Sequence, residues 1–202
     1  EDTIIMFISD HGFYHGEHNL IGKVHLDRDG NIIGRYPLYS TITHVPLIIK
    51  PAGNRGSKSI DGLCQPTDLM PTILDEIGIK ISDQVQGMSL KNAMAHGYTD
   101  RDFAVSSSTL VMDREVRSPA SLRTDNYFYL YGGDEWENEL YDLKKDPFES
   151  NNIIDSNLDI AEELHQQYFR FLKEKDAPEY VLNNRKTFSQ KKKEDVPYQK
   201  RI

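Results

Sequence analysis

The residues best suited to chemistry fall in one short stretch: Ser9-Asp10-His11-Gly12, then His15, Gly16-Glu17-His18 and Ile21-Gly22-Lys23. A carboxylate and an imidazole side by side can both reach one point in space if the chain turns there, and Gly12 permits the turn. Two such donors at one point are how a divalent cation is held. Asp-His-Gly is also ordinary turn chemistry after a strand, and on the tripeptide alone that reading stays open. The context favours a metal site, because a strand precedes it and two glycine-spaced histidines and a lysine follow.

An element must hold these groups in place. Ile4 to Ile8 is an unbroken run of large apolar residues with β-branched members. Such a run predicts a strand buried on both faces, the usual condition in a parallel sheet covered by helices. Open α/β sheets bind ligands outside the carboxyl ends of their strands, and Ser9, Asp10 and His11 come directly after Ile8.

The pattern Ser-Asp-His-Gly-x-x-x-Gly-Glu-His-x-x-x-x-Lys over residues 9–23 is followed by Thr43-His44-Val45-Pro46-Leu47-Ile48-Ile49. Together they resemble the C-terminal metal-binding segment of the sulfatases, in the alkaline phosphatase superfamily. The branch they are most similar to contains iduronate sulfatase and choline sulfatase. The resemblance runs on through Asp68-Leu69-Met70-Pro71-Thr72, Gln86-Gly87-Met88-Ser89-Leu90 and Glu139-Leu140-Tyr141-Asp142-Leu143-Lys144-Lys145-Asp146-Pro147, about three quarters of the chain.

This resemblance implies a sulfuric ester hydrolase. In that family a divalent cation acts as a Lewis acid on the sulfuryl oxygens, with Asp10 and His11 as two of its ligands. Lys23, a compact cation with three donors, would bridge the nucleophile and a sulfate oxygen. Most sulfatases carry Asn where His11 stands and bind calcium through oxygen, whereas an imidazole also suits manganese or zinc. The iduronate sulfatase branch uses Asp-His with calcium, so calcium is the first expectation. His18 could donate a proton to the leaving-group oxygen, although the family's usual acid histidines lie elsewhere. The nucleophile, a formylglycine hydrate, and two further acidic ligands belong to the family's first half. The chain is therefore expected to be the C-terminal part of a longer polypeptide, with the N-terminal half as its partner. The implied substrate is a saccharide or small-molecule sulfate ester, and the implied location is periplasmic, secreted or lysosomal. A phosphonate or phosphate ester hydrolase of the same superfamily is one alternative; a non-catalytic module is another.

Composition sets outer bounds. A chain of 202 residues can bury a substantial core, and a net charge of -8 argues against a general nucleic-acid binder. No apolar run approaches the roughly 18 residues of a membrane helix. Cys64, the single cysteine, cannot form an internal disulfide.

The expected fold class is α/β: the C-terminal part of an alkaline-phosphatase-like mixed or parallel sheet with flanking helices over residues 1–100. A small antiparallel sheet packed on a C-terminal helix should occupy 101–178, and an extended basic tail 179–202. Within the first part, a hairpin turns at Asp29-Gly30 or Gly30-Asn31. It looks like an insertion in the family pattern, and its Arg, His and Tyr side chains either face a substrate or, the weightier reading, are solvated. Pro46 to Lys50 reads as a second buried strand and Thr67 to Ile77 as a helix capped by Thr67, with Met70, Ile73, Leu74 and Ile77 as its buried stripe and Gly78 closing it. Cys64-Gln65-Pro66-Thr67 resembles the formylglycine signature but lacks its arginine and lies downstream of Asp10, so Cys64 reads as a buried structural thiol. Strands follow at Phe103–Ser108, Arg114–Thr124, Tyr127–Tyr131 and Glu139–Leu143. Tyr127, Tyr129 and Tyr131 share one face, more plausibly as cover for a helix than as a sugar platform. That helix is Leu158 to Lys173, with Ala161, Leu164, Tyr168, Phe171 and Leu172 inward and Ser156 as cap. The basic tail could lie as an arm over the acidic body or be a loose end.

Overall fold

A computed structural model describes residues 2–26, 29–53, 56–107 and 117–190. The elements, in chain order, are β1 (Ile5–Ile8), β2 (Tyr14–His15), β3 (Ile21–Gly22), β4 (Val24–Leu26), β5 (Ile32–Arg35), α1 (Ser40–Thr43), β6 (Leu47–Lys50), α2 (Leu69–Glu76), α3 (Lys91–His96), β7 (Ala104–Ser107), β8 (Ala120–Arg123), β9 (Tyr127–Tyr131), β10 (Glu139–Asp142), α4 (Leu158–Glu174) and α5 (Glu179–Arg185). They form two compact units, one of residues 1–9 and 46–104, the other of 10–45 and 105–202. Among the described residues no helix is long and apolar enough to cross a membrane.

In the first unit β1 pairs antiparallel with β6, Ile5 opposite Lys50 and Ile8 opposite Leu47. The strand expected to be parallel and buried on both faces is neither: Phe7 and Ile48 face each other across the ribbon and are 60% and 63% exposed. An apolar run records that a strand suits apolar surroundings; the direction of its neighbour is set by the connection, which the run does not encode. Helix α2 also differs from its pattern. It starts from a turn of 3-10 helix, Pro66–Asp68, capped by Gln65 and Asp68 in a reciprocal box rather than by Thr67. Its buried side carries Asp68, Pro71 and Thr72, while Met70, Ile73 and Ile77 of the apolar stripe are exposed. Hydrogen bonds choose that side: Asp68 accepts from the Met88 N–H and from Arg101, and the Thr72 hydroxyl accepts from the Leu90 N–H. Cys64 is exposed, not the buried thiol expected.

The second unit is built on a four-stranded antiparallel sheet in the order β10-β9-β8-β7. Alternation along β9 serves two layers at once. Phe128 and Leu130 enter a core shared with Trp136, Tyr141 and Leu143, and Tyr14, Leu20, Tyr39 and Ile42 join it. Residues 10–45, grouped by sequence with the first hundred, thus pack in this unit. On the other face Tyr129 and Tyr131 meet His165 and Tyr168 of α4, the cover expected of the tyrosine stripe. Helix α4 is preceded by Asn157 rather than capped by Ser156, and Phe171 is only half-buried. Where an extended tail was expected from 179, α5 is helical and Arg185 at its end is fully buried over the Tyr131 ring. The basic run 191–202 and Arg28 lie outside the described residues.

His165 gives this unit a pH dependence. Its Nε2–H donates to the Arg185 carbonyl at 2.8 Å and its Nδ1 accepts from the Tyr129 hydroxyl at 3.1 Å, so the buried ring is held neutral. Burial pushes its pKa below the ordinary value, and the same holds for His18. The unfolded imidazoles take up protons near pH ~6.5, before the folded ones do. Their contribution is therefore fully present above about pH 6.5 and is lost as pH falls below it. Glu149, raised by burial, acts oppositely in the carboxylate range. Thermal melts between about pH 7.5 and about pH 5 should show falling stability, and His165→Gln should flatten the slope; an unchanged slope would remove His165 from this account.

Candidate functional site

Asp10 lies two residues past the end of β1 in the chain, and three of the four residues singled out for chemistry, Asp10, His11 and Lys23, converge. The His11 N–H donates to Asp10 Oδ1 at 2.9 Å, and Asp10 Oδ2 stands 3.4 Å from His11 Nε2. Nδ1 of the same ring is 2.8 Å from the Gly12 carbonyl oxygen. Since a carbonyl only accepts, this assigns the ring proton to Nδ1 and the lone pair to Nε2. The Lys23 ammonium donates to that Nε2 at 2.8 Å. Asp10 is exposed, and its carboxyl is held below the usual range, chiefly by the His11 N–H, with the Lys23 charge adding.

The turn is anchored from behind. The Gly12 N–H donates to the Ile42 carbonyl at 2.8 Å, and a Cβ at position 12 would lie 1.8 Å from the Thr41 carbonyl oxygen. Gly12 is required by this close approach to α1. Helix α1 is in turn fixed by residues distant in sequence. Ser40 donates from both its N–H and its hydroxyl to Glu149, and Arg123 donates to the Ser40 hydroxyl at 2.6 Å. Tyr39 and Tyr141 both donate to the buried Glu139. Glu149 is buried and sits at φ 56, a left-handed backbone that a glutamate adopts only when its surroundings impose it. The family motif read from the sequence ends at Asp146-Pro147, and nothing local signals that Glu149 supports the Asp10–Gly12 turn. Gly12→Ala should cost about 1–3 kcal/mol of stability and weaken cation binding at Asp10 and His11. Chemical denaturation together with metal titration checks both, and a variant with neither loss would show that the approach is relieved without disturbing the turn.

Lys23 is carried by the β2–β3 ribbon, Tyr14 opposite Gly22 and His15 opposite Ile21. The connecting turn closes with the Gly16 N–H on the Leu20 carbonyl, and Glu17 accepts from the His15 N–H at 2.7 Å. His18 in this turn has φ 53 and stacks on Tyr39, centroids 3.7 Å apart and rings 9° from parallel. Burial lowers its pKa, with Glu17 and Asp146 opposing. The structure therefore lays His18 on the aromatic core, while Asp10, His11 and Lys23 form the cluster. His15 is exposed beside the Phe13 ring.

The donor set fits a cation in part. Two ligands at right angles on an ion with bonds of about 2.4 Å are about 3.4 Å apart, the separation of Asp10 Oδ2 and His11 Nε2. Among the described residues no group of three or more His, Cys, Asp or Glu gathers to complete a coordination sphere. Asp10 and His11 supply two donors at that spacing.

Comparison with known proteins bears on what uses such a cluster. Residues 34–175 match the family model of N-sulphoglucosamine sulphohydrolase, C-terminal. The N-acetylglucosamine-6-O-sulfatase of Bacteroides thetaiotaomicron is 30% identical over 163 residues, 76% of this chain and 27% of that protein. A solved structure of a protein in complex with its substrate D-glucosamine-2-N,6-O-disulfate has a TM-score of 0.58 at 27% identity, covering 90% of this chain and 35% of that one. The phosphonate monoester hydrolase of Agrobacterium radiobacter shares the fold, with a TM-score of 0.66 at 22% identity, over 86% of this chain and 35% of its own. The chain spans under a third of the length of the curated relatives it matches. Its motif around Asp10, its small sheet with α4 and its matched residues agree: the chain belongs to the sulfatase family of the alkaline phosphatase superfamily and represents that family's C-terminal portion.

Proposed function

We propose that this chain forms part of a sulfuric ester hydrolase acting on a sulfated carbohydrate, and that Asp10, His11 and Lys23 are its contribution to the active site. The observation that carries this is the convergence of Asp10 Oδ2, His11 Nε2 and Lys23 Nζ on one point. Sulfatases bind a divalent cation, and here Asp10 and His11 would hold it, calcium as the first choice. When bound, such an ion supplies Lewis-acid polarisation of the sulfuryl oxygens and fixes the ester's orientation. The Gly12 carbonyl keeps the His11 proton on Nδ1, which leaves Nε2 as the donor nitrogen. Lys23 places a positive charge and up to three N–H donors on the same anion. His18, stacked on Tyr39 and held neutral, supports the turn that carries Lys23; a proton-transfer role for it would require the ring to leave that stack. The sugar is supported by the relatives, one named for N-acetylglucosamine-6-O-sulfate ester cleavage and one bound to a sulfated glucosamine.

The formylglycine nucleophile and the remaining ligands would come from the rest of a polypeptide of the relatives' length. These 202 residues by themselves should accordingly release no sulfate from sulfated glucosamine and bind calcium weakly; robust turnover by this chain alone would overturn the proposal. The fold of the phosphonate monoester hydrolase keeps one other ester class in view. Rates of the full-length enzyme on paired aryl sulfate and phosphonate esters separate the two, with the sulfate expected to be faster.

A further inference from the structure

We propose that Lys23 is a placeholder at the metal site: its ammonium group occupies the His11 Nε2 lone pair until a divalent cation displaces it, so that loading the cation is what frees Lys23 to grip the anion. The inference rests on the reading of Asp10 and His11 as metal donors. Three observations carry it. Lys23 Nζ is 2.8 Å from Nε2, a full hydrogen bond. The other ring nitrogen is committed to the Gly12 carbonyl at 2.8 Å, so Nε2 holds the one lone pair the ring can offer. That nitrogen is also the one 3.4 Å from Asp10 Oδ2.

One lone pair cannot serve an ammonium N–H and a cation together. A dication bound there would also stand close to the ammonium nitrogen, where like charges repel strongly. The exchange balances without proton transfer: an N–H···N hydrogen bond breaks, a metal–nitrogen bond forms, Lys23 stays an ammonium and the imidazole keeps its proton on Nδ1. Lys23 is exposed on a flexible four-carbon stem, so its head group can swing without moving the β2–β3 ribbon. Two consequences follow by linkage. Lys23 opposes cation binding, and an anion that draws Lys23 away strengthens it.

The test is calorimetric titration of calcium into the full-length enzyme, with no turnover involved. Lys23→Met keeps the stem and removes the ammonium group, and should bind calcium about tenfold more tightly. Inorganic sulfate, as the anion probe, should tighten calcium binding more in the wild type than in Lys23→Met, where only direct contact between sulfate and the cation couples the two. Nitrogen NMR of His11 in the metal-free proteins separates a broken hydrogen bond from mere loss of a nearby charge: the Nε2 resonance should move downfield in Lys23→Met while Nδ1 stays protonated. Equal or weaker calcium binding by Lys23→Met, or an unmoved Nε2 resonance, would overturn the inference. Asp10→Ala is the control for the reading beneath it. Should that variant bind calcium as the wild type does, the metal-site reading itself fails; should it lose calcium while Lys23→Met gains nothing, only the placeholder role is lost.

Discussion

Lys23→Ala in the full-length enzyme should lower kcat by about 10²–10³-fold, the loss typical of a donor aimed at charge that develops in the transition state. The metal should remain bound, since Asp10 and His11 are untouched. KM should change much less than kcat, because a group that tightens on the anion mainly as the bond breaks contributes little to ground-state binding. Lys23→Arg should recover only part of the rate: a planar fork cannot replace a compact ammonium at the end of the short β2–β3 ribbon. Steady-state kinetics beside metal analysis of the same samples decide the matter. A kcat within about threefold of wild type would take Lys23 out of the active site, since one removed donor is expected to cost far more.

Asp10→Ala should lose the metal. Altering a residue that merely orients a metal ligand already costs about 10–100-fold in affinity, so removing the carboxylate itself should exceed about 100-fold. His11 alone would then offer one neutral nitrogen, and the activity would vanish with the ion. Thermal unfolding gives a readout independent of turnover. Calcium at about a hundred times its Kd should stabilise the wild type by about 2.7 kcal/mol, and the variant should gain almost nothing. Asp10→Asn, which keeps an oxygen donor without the charge, should fall between. Retention of the metal by Asp10→Ala would move the cation site elsewhere.

Much of this candidate site's geometry was legible because its residues are close in sequence. Asp10, His11, Gly12 and Lys23 are held by one turn and one ribbon, and a short-range pattern suffices to read short-range geometry. The four strands of the small sheet and α4 were legible for the same reason, each being a local alternation or a helical stripe bounded by turn residues. What was not legible depends on partners far away. The pairing of β1 with β6 is antiparallel, and no property of Ile4 to Ile8 alone announces it. In α2 the apolar stripe did not mark the inner face of this chain: Asp68 and Thr72 are buried and accept from the Met88 and Leu90 N–H groups, partners that lie eighteen to twenty residues further on. The support of Gly12 by α1, and of α1 by Glu149, spans more than a hundred residues. The segment 10–45 belongs with the second unit because Tyr14, Leu20, Tyr39 and Ile42 complete its core, a relation that can be seen only once both partners are placed.

The apolar side chains left in water on the first unit have a colloidal consequence. Phe7 opposite Ile48 on the β1–β6 ribbon, and Met70, Ile73 and Ile77 on α2, are surfaces on which salting-out acts. Sulfate is a strongly excluded anion that makes the burial of such surfaces more favourable. The anion released by the proposed reaction would therefore, once concentrated, drive this chain to self-associate, and a titration of the chain with sulfate would mix occupancy of the Asp10–Lys23 cluster with loss of monomer. Sodium chloride at matched ionic strength separates the two, since chloride screens charge equally but salts out far less.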